Sequence, residues 1–191
     1  MSKHQSSSDS RTRLLEAASR LFYQQGYHAT GINQVISEAS VAKASFYHYF
    51  SSKEELCVAY LQKRHQEWFS WLREEVEAQT KPQDKVLSLF SFLEKWLRAS
   101  DFRGCAFLNI ASEFPSPDNQ IRQIVVDHKM ALRDYIEQLV GQLDTLKATS
   151  THRSLANSIY ILFEGAIVES QIYRETWSIE AARETVKKMI A

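Results

Sequence analysis

The sequence predicts an all-α protein of about nine helices, a small N-terminal module followed by a larger helical body. Three observations predict it. Only five glycines and three prolines interrupt 191 residues, and no run alternates apolar and polar residues with the period of two of a half-buried strand. Apolar residues instead recur at i, i+3, i+4 and i+7, the spacing of one helix face. Turn chemistry at Gly26, at Asp101–Gly104, at Phe114–Pro117 and at Trp177–Ser178 cuts the pattern into helix-sized pieces, with nothing resembling a flexible interdomain linker.

Taken in order, residues 1–9 read as a disordered polar tail and the first helix as about Ser10 to Gln25. Its inner face is Leu14, Ala18, Leu21 and Phe22, and Gly26 lets the chain leave in a left-handed conformation. Residues 10–53 then form a helix-turn-helix module, and 54–191 the body. In the run TGINQVISEASVAKASFYHYFSSK (30–53), Ile32, Val35, Ile36 and Ala39 line one helix, with Thr30 as its expected N-cap. After the break at Ala39–Val41, the apolar set Val41, Phe46 and Phe50 turns to a new face. Lys43, Ala44, Tyr47 and His48 fall at i, i+1, i+4 and i+5, an outward stripe of one cation, one small residue and two polar rings. A helix that reads DNA needs such a stripe, its first turns reaching base edges while hydroxyls and cations hold phosphates.

The next helix is expected to start at Ser51 or Ser52, each with a Glu three residues on, the reciprocal capping pattern. Lys53 in its first turn adds a full charge to a helix start that already favours anions, which reads as a phosphate clamp. This helix continues to about Gln79. Helices over about 82–99, 104–114, 117–147, 150–175 and 178–190 complete the body.

VAKASFYHYFSSKEEL, with SRTRLLEAASRLFYQQGYHATGINQVISEAS upstream, resembles the DNA-binding module of the TetR/AcrR family of bacterial transcriptional regulators over about residues 10–60. The resemblance implies Lys43 and Ala44 near base edges and Thr30, Ser45, Tyr47, His48 and Lys53 on phosphates, with Tyr49 either joining them or staying in the core. Two residues depart from the family pattern. Ser40 stands where Gly is common, and Ala42 stands where a Ser or Thr cap is common. Each departure costs at most about 1 kcal/mol.

The resemblance further implies a ligand cavity in the body and a two-fold dimer built by its last two helices. Candidate ligand residues are the aromatics Trp68, Trp71, Trp96, Phe107, Tyr160 and Phe163 and the polar Asn109, Glu113, His128 and Glu164, which points to a hydrophobic or aromatic small-molecule inducer. The helical spacing of Ala156, Ile159, Phe163, Ala166, Ile167 and Ser170, with Ala182 and Val186 in the last helix, marks the expected dimer interface. A dimer places two heads on successive major grooves about 34 Å apart and reads a near-palindromic operator in double-stranded DNA. The function expected is that of a ligand-responsive regulator, a repressor by family tendency, released from DNA by its inducer.

Charge agrees with this reading. The chain is neutral overall, yet residues 1–53 hold six Lys and Arg against three Asp and Glu, which leaves the remainder acidic by three. Cys57 and Cys105, with no CxxC spacing, argue against a disulfide framework or a metal site. Cys57 reads as core. Cys105 follows Gly104 at a helix start beside Arg103, a setting that favours the thiolate, so a thiol-based sensor of oxidants or electrophiles is an alternative. The other alternative is a ligand-binding or interaction module without DNA binding. No His-Glu-x-x-His, glycine-rich phosphate loop or Gly-x-Ser-x-Gly elbow occurs, so no enzyme and no cofactor are expected. The polar start is no signal peptide and no run is long enough to span a membrane, so the expected location is cytoplasmic.

Overall fold

The computed structural model describes the backbone of residues 3–116, 118–143 and 149–191, and the side chains of these apart from 3–9 and 149–151. Among the described residues the chain forms nine helices and no strand: α1 (Lys3–Gln25), α2 (Ile32–Glu38), α3 (Lys43–Tyr49), α4 (Lys53–Glu77), α5 (Pro82–Ala99), α6 (Ala106–Glu113), α7 (Gln120–Val140), α8 (Thr149–Tyr173) and α9 (Trp177–Met189). α1 starts seven residues before the Ser10 expected, inside the stretch read as a tail. α7 begins at Gln120, where Asn119 Oδ1 accepts the Ile121 N–H at 2.7 Å. Pro117 and residues 144–148, which the sequence reading placed in a turn and at the end of that helix, lie outside the described residues.

The helices gather into two compact units. The first holds residues 1–66 and 106–126, so α6 and the start of α7 belong with the head. The second holds 67–105 and 127–191. The expected cut at 53/54 followed sequence order, whereas the chain returns to the first unit after α5.

In the first unit α1 packs on both α2 and α3. Leu14, Ala18, Leu21 and Phe22 are buried as expected, as are Val35 of α2 with its C-cap Ala39 and Phe46 of α3 with its C-cap Phe50. Burying a large apolar side chain contributes roughly 1.5–3 kcal/mol, so Phe46 and Phe50 fix the rotation of a helix only seven residues long. Its start carries the weakness expected: the N-cap Ala42 makes no side-chain cap bond, and Ser40 sits at φ 51°. Arg13 of α1 donates to the Ser40 carbonyl at 3.2 Å and helps hold that turn.

In the second unit α5, α8 and α9 pack on one another around a core of Leu89, Phe90, Leu93, Ile159, Phe163, Ala166, Ile179, Ala182 and Val186. An aromatic cluster centres on Trp68, whose ring meets Phe92, Trp96, His128 and Phe163 edge-on at 5.2–6.3 Å between centroids. Edge-to-face contacts of this kind suit the ring quadrupoles. Among the described residues no helix is long and apolar enough to cross a membrane.

Candidate nucleic-acid interface and associated sites

Once Phe46 and Phe50 are buried, the rest of α3 is committed. Ala42, Lys43, Ala44, Tyr47 and His48 are exposed, with Tyr47 half exposed at 50%. Ser45 and Tyr49 are intermediate, and Tyr49 is held edge-on against His48 at 4.7 Å. The outward stripe read from the sequence is therefore present as a continuous surface.

Thr30 is a correction. It is wholly buried and its hydroxyl donates to the Gly26 carbonyl at 2.7 Å, so its side chain closes the α1–α2 turn and is not free to reach a phosphate. Nor does it cap α2, whose N-cap is Gly31. A threonine hydroxyl can bond the backbone behind it as readily as the helix ahead.

The start of α4 follows the capping pattern in part. Ser52 Oγ accepts the Glu55 N–H at 3.1 Å, while the Glu55 carboxylate reaches one residue farther back, accepting from the N–H and hydroxyl of Ser51 at 2.6 and 2.7 Å. Those hydrogen bonds from Ser51 hold the Glu55 carboxyl below the usual carboxylate range. Lys53 is half-buried, its ammonium 4.1 Å from the centre of the Tyr27 ring. Burial lowers its pKa against the opposing pull of Glu113 and Cys57.

Glu113, read from sequence as a ligand-binding group, does something else. At the end of α6 it accepts the N–H of Tyr27 at 2.8 Å and of His28 at 2.6 Å, while its carbonyl meets His28 Nε2 at 3.0 Å. Phe114 lies over both rings, at 4.8 Å from Tyr27 and 5.7 Å from His28. The approach requires Gly26, at φ 94°, where a Cβ would stand 2.9 Å from Glu113 Oε1. Asn119 donates to Glu54 at 3.0 Å, a second tie from this segment to α4. Segment 106–126 thus clasps the turn that carries Tyr27 and, through its ring, Lys53. Burial comes first in raising the Tyr27 pKa to about 12 and that of the buried Cys57 to about 12.

Of the remaining candidate ligand residues, Trp96, His128 and Phe163 all meet the ring of Trp68. Trp68, His128 and Phe163 are packed core. Phe107, Asn109 and Glu113 belong to the first unit, the others to the second. Tyr160 and Glu164 stand by a polar cluster in which Lys129 donates to Glu164 Oε2 at 2.5 Å and to Cys105 Sγ at 3.6 Å. Burial works against the Lys129 charge, and Cys105 and Glu164 outweigh it, so its pKa is raised. Lys129, which the sequence reading did not single out, is thus a cation at the buried thiol. Trp71 and Trp96 do line a shared space, a groove of about 620 Å³ between α4 and α5 whose other walls include Glu74, Glu75, Phe92 and Lys95.

The dimer residues need correcting as a set. Ala156, Ile159, Phe163, Ala166, Ile167, Ser170, Ala182 and Val186 are all buried within the single chain. Ser170 and Ser178 share a hydrogen bond at 2.9 Å inside the α8–α9 packing. The free face of α8 is Ser158, Ile161, Gly165, Val168 and Ile172, spaced by alternating threes and fours, with Ile161 67% and Ile172 65% exposed. The exposed rings of Tyr173 and Trp177 extend it, 5.9 Å apart. The same apolar periodicity runs along two sides of this helix, and the sequence reading took the inner one.

Two family models cover most of the chain. Residues 14–60 match the bacterial regulatory proteins of the tetR family, and residues 82–186 match the tetracyclin repressor-like C-terminal domain. The chain belongs to the TetR family. It is a transcriptional regulator with a DNA-binding helix-turn-helix, and not an enzyme. Over its full length it is 27% identical to the HTH-type transcriptional repressor NemR of Escherichia coli K12, covering 98% of that protein. A match of 55% identity to an HTH-type regulator of Bacillus subtilis, YxaF, spans 51 residues, 26% of this chain and 27% of that one. Among solved structures, a TetR-family regulator from Streptomyces coelicolor superposes with a TM-score of 0.88 at 26% identity, covering 96% of each chain. The reduced form of E. coli NemR superposes at 0.81 and 23% identity, over 95% of this chain and 97% of that one.

Proposed function

We propose that this TetR-family regulator is a cytoplasmic repressor that binds a near-palindromic operator as a homodimer and is released by a hydrophobic or aromatic small molecule. The observation that carries the DNA half is the exposed stripe Lys43, Ala44, Tyr47 and His48 on a helix whose rotation is locked by Phe46 and Phe50. Lys43 and Ala44 approach base edges. Ser45, Tyr47, His48 and Lys53 hold phosphates, with Tyr49 braced behind His48. Lys53 is presented by the Tyr27 ring, so the Glu113 clasp on Tyr27 and His28 positions a phosphate contact without touching DNA.

The dimer forms through the free face of α8, Ile161, Gly165, Val168 and Ile172, with Tyr173 and Trp177 at its end. A 3–4 spacing is that of helices paired along a shallow supercoil, and the exposed Gly165 admits a close backbone. Full-length similarity to a protein named a repressor supports repression over activation.

Release requires that ligand binding in the body disfavour the head spacing that fits one turn of DNA. α4 is the suited lever, since Lys53 to Gln66 belong to the head unit and Glu67 to Glu77 to the other. A coupling of about 1–3 kcal/mol changes affinity roughly 5- to 150-fold.

A second reading is favoured by one contact. Lys129 donates to Cys105 Sγ at 3.6 Å, which sets a polar, cation-bearing cluster beside a thiol, and thiols are the groups that oxidants and electrophiles modify. Footprinting on duplex DNA flanking the protein's own gene, beside a reporter transcribed from it, tests the main reading. Two protected half-sites about one helical turn apart and lower transcription are expected; an unprotected region or raised transcription contradicts it.

A further inference from the structure

We propose that the α4–α5 groove is a binding site for a planar aromatic cation. The two helices that form it repeat one arrangement: Trp71, Glu74 and Glu75 on α4, and Phe92, Lys95 and Trp96 on α5, stand at i, i+3 and i+4, so each helix lays an aromatic ring and a charge on the same face. Ala78, just past the end of α4, and Ala99, the last residue of α5, also line the groove and leave open the space that larger side chains would fill. The resulting volume of about 620 Å³ lies within the range of small-molecule sites and suits a compound of about two or three fused rings.

Ring geometry favours a flat occupant. Phe92 and Trp96 are parallel within 4°, with centroids 6.1 Å apart, and Trp71 leaves 43% of its surface open to solvent. Charge sets the sign. Lys95 is spent on Glu75, its ammonium 2.8 and 2.7 Å from the two carboxylate oxygens. Glu74 has no basic partner among the described residues. The groove therefore carries one uncompensated negative charge among aromatic faces, and the negative faces of indole and phenyl rings themselves attract cations. One donor is also unspent: Trp96 is buried, and its Nε1 has no hydrogen-bond partner. Buried polar groups are nearly always paired, and an acceptor on the occupant would complete this one.

The consequence of binding for DNA rests on the ligand-responsive reading above; the binding itself does not. Calorimetric titration of the purified full chain with methoxy-N-methylquinolinium, and with neutral methoxyquinoline at mildly alkaline pH, separates charge from ring shape. The cation is expected to bind saturably and about 2- to 30-fold more tightly than the neutral ring. Glu74→Gln should erase that preference, and Trp71→Ala should weaken both compounds. Both side chains are exposed, and thermal unfolding of each variant checks that the fold is kept. Absence of cation binding at millimolar concentration, equal affinity for the two compounds, or variants that bind like the wild type would each overturn the proposal. Repeating the titration with operator DNA present isolates the other half: a cation that binds the groove and leaves DNA affinity unchanged upholds the site and sinks the ligand-responsive reading there.

Discussion

α3 and α8 each present an outward stripe that the core leaves uncovered, and the two stripes were unequally visible in the sequence. On α3 the buried face is two phenylalanines and the free face is polar, so one glance at the spacing separates Lys43, Tyr47 and His48 from Phe46 and Phe50. On α8 both faces are apolar. Ile159, Phe163, Ala166 and Ser170 go inward while Ile161, Gly165, Val168 and Ile172 stay out. Periodicity gives the phase of a helix only when its faces differ in chemistry. Where both faces of a helix are apolar, the sequence does not say which one serves the fold and which one is left for the second subunit proposed above.

The largest effect that can break this comparison comes from a charge placed on each face of α8 in turn. Ile161→Asp with Ile172→Asp should leave the monomer folded and weaken the dimer by about 2 kcal/mol or more for each site, read by sedimentation equilibrium. Ile159→Asp should instead unfold the chain, because an unpaired buried charge costs several kcal/mol. A dimer that survives the double substitution would return the interface to some other surface.

The head offers a sharper version of the same question. Glu113→Ala removes the acceptor for the Tyr27 and His28 N–H groups, and should cost about 1–3 kcal/mol in stability. Amide hydrogen exchange at Tyr27 and His28 should rise more than at α3, and DNA affinity should fall although Glu113 lies outside the α3 stripe. Unchanged exchange at those two amides would remove the clasp from the mechanism.

Alkaline pH probes the same turn. Cys57 and Tyr27 both have pKa values raised to about 12, so in the folded state they keep their protons where the unfolded chain loses them. Their contribution is present below the unfolded values of 9.0 and 10.0 and is lost as pH rises toward 12. The melting temperature should therefore fall above about pH 9, with a shallower fall in Cys57→Ala. A slope identical in the variant would assign the loss to other groups.

The smallest effects concern the turn before α3. Ser40→Gly relieves a left-handed residue at φ 51° and Ala42→Ser supplies the missing cap. Each should stabilise by about 0.5–1 kcal/mol, measured by urea unfolding, with little change in operator choice.

Much of the fold was legible because helix limits are local: Gly26, Pro82 and the Ser52–Glu55 cap end or start helices through chemistry within a few residues. The exposure of the α3 stripe was legible for the same reason. Thr30 was misread because its hydroxyl had two equally local choices, the helix ahead or the Gly26 carbonyl behind. Glu113 was misread because its partners lie 85 and 86 residues away, a distance at which no periodicity speaks. The ligand residues were chosen as polar or aromatic groups in apolar helices, a description that fits core rings such as Trp68 and Phe163 equally well. The repeated spacing of Trp71–Glu75 and Phe92–Trp96 was present in the sequence, but its meaning depends on α4 and α5 facing each other, which only the structure supplies.

The most direct test of the central claim is fluorescence anisotropy of labelled duplex from the region flanking the gene, across a salt series, for the wild type, Lys43→Ala and Tyr47→Ala. A dimer neutralising about eight phosphates should show log affinity falling with log salt at a slope near −7, and both substitutions should weaken binding by roughly tenfold or more while leaving the dimer intact. Binding with no sequence preference, or variants that bind as the wild type does, would contradict the assignment of α3 as the DNA-reading helix.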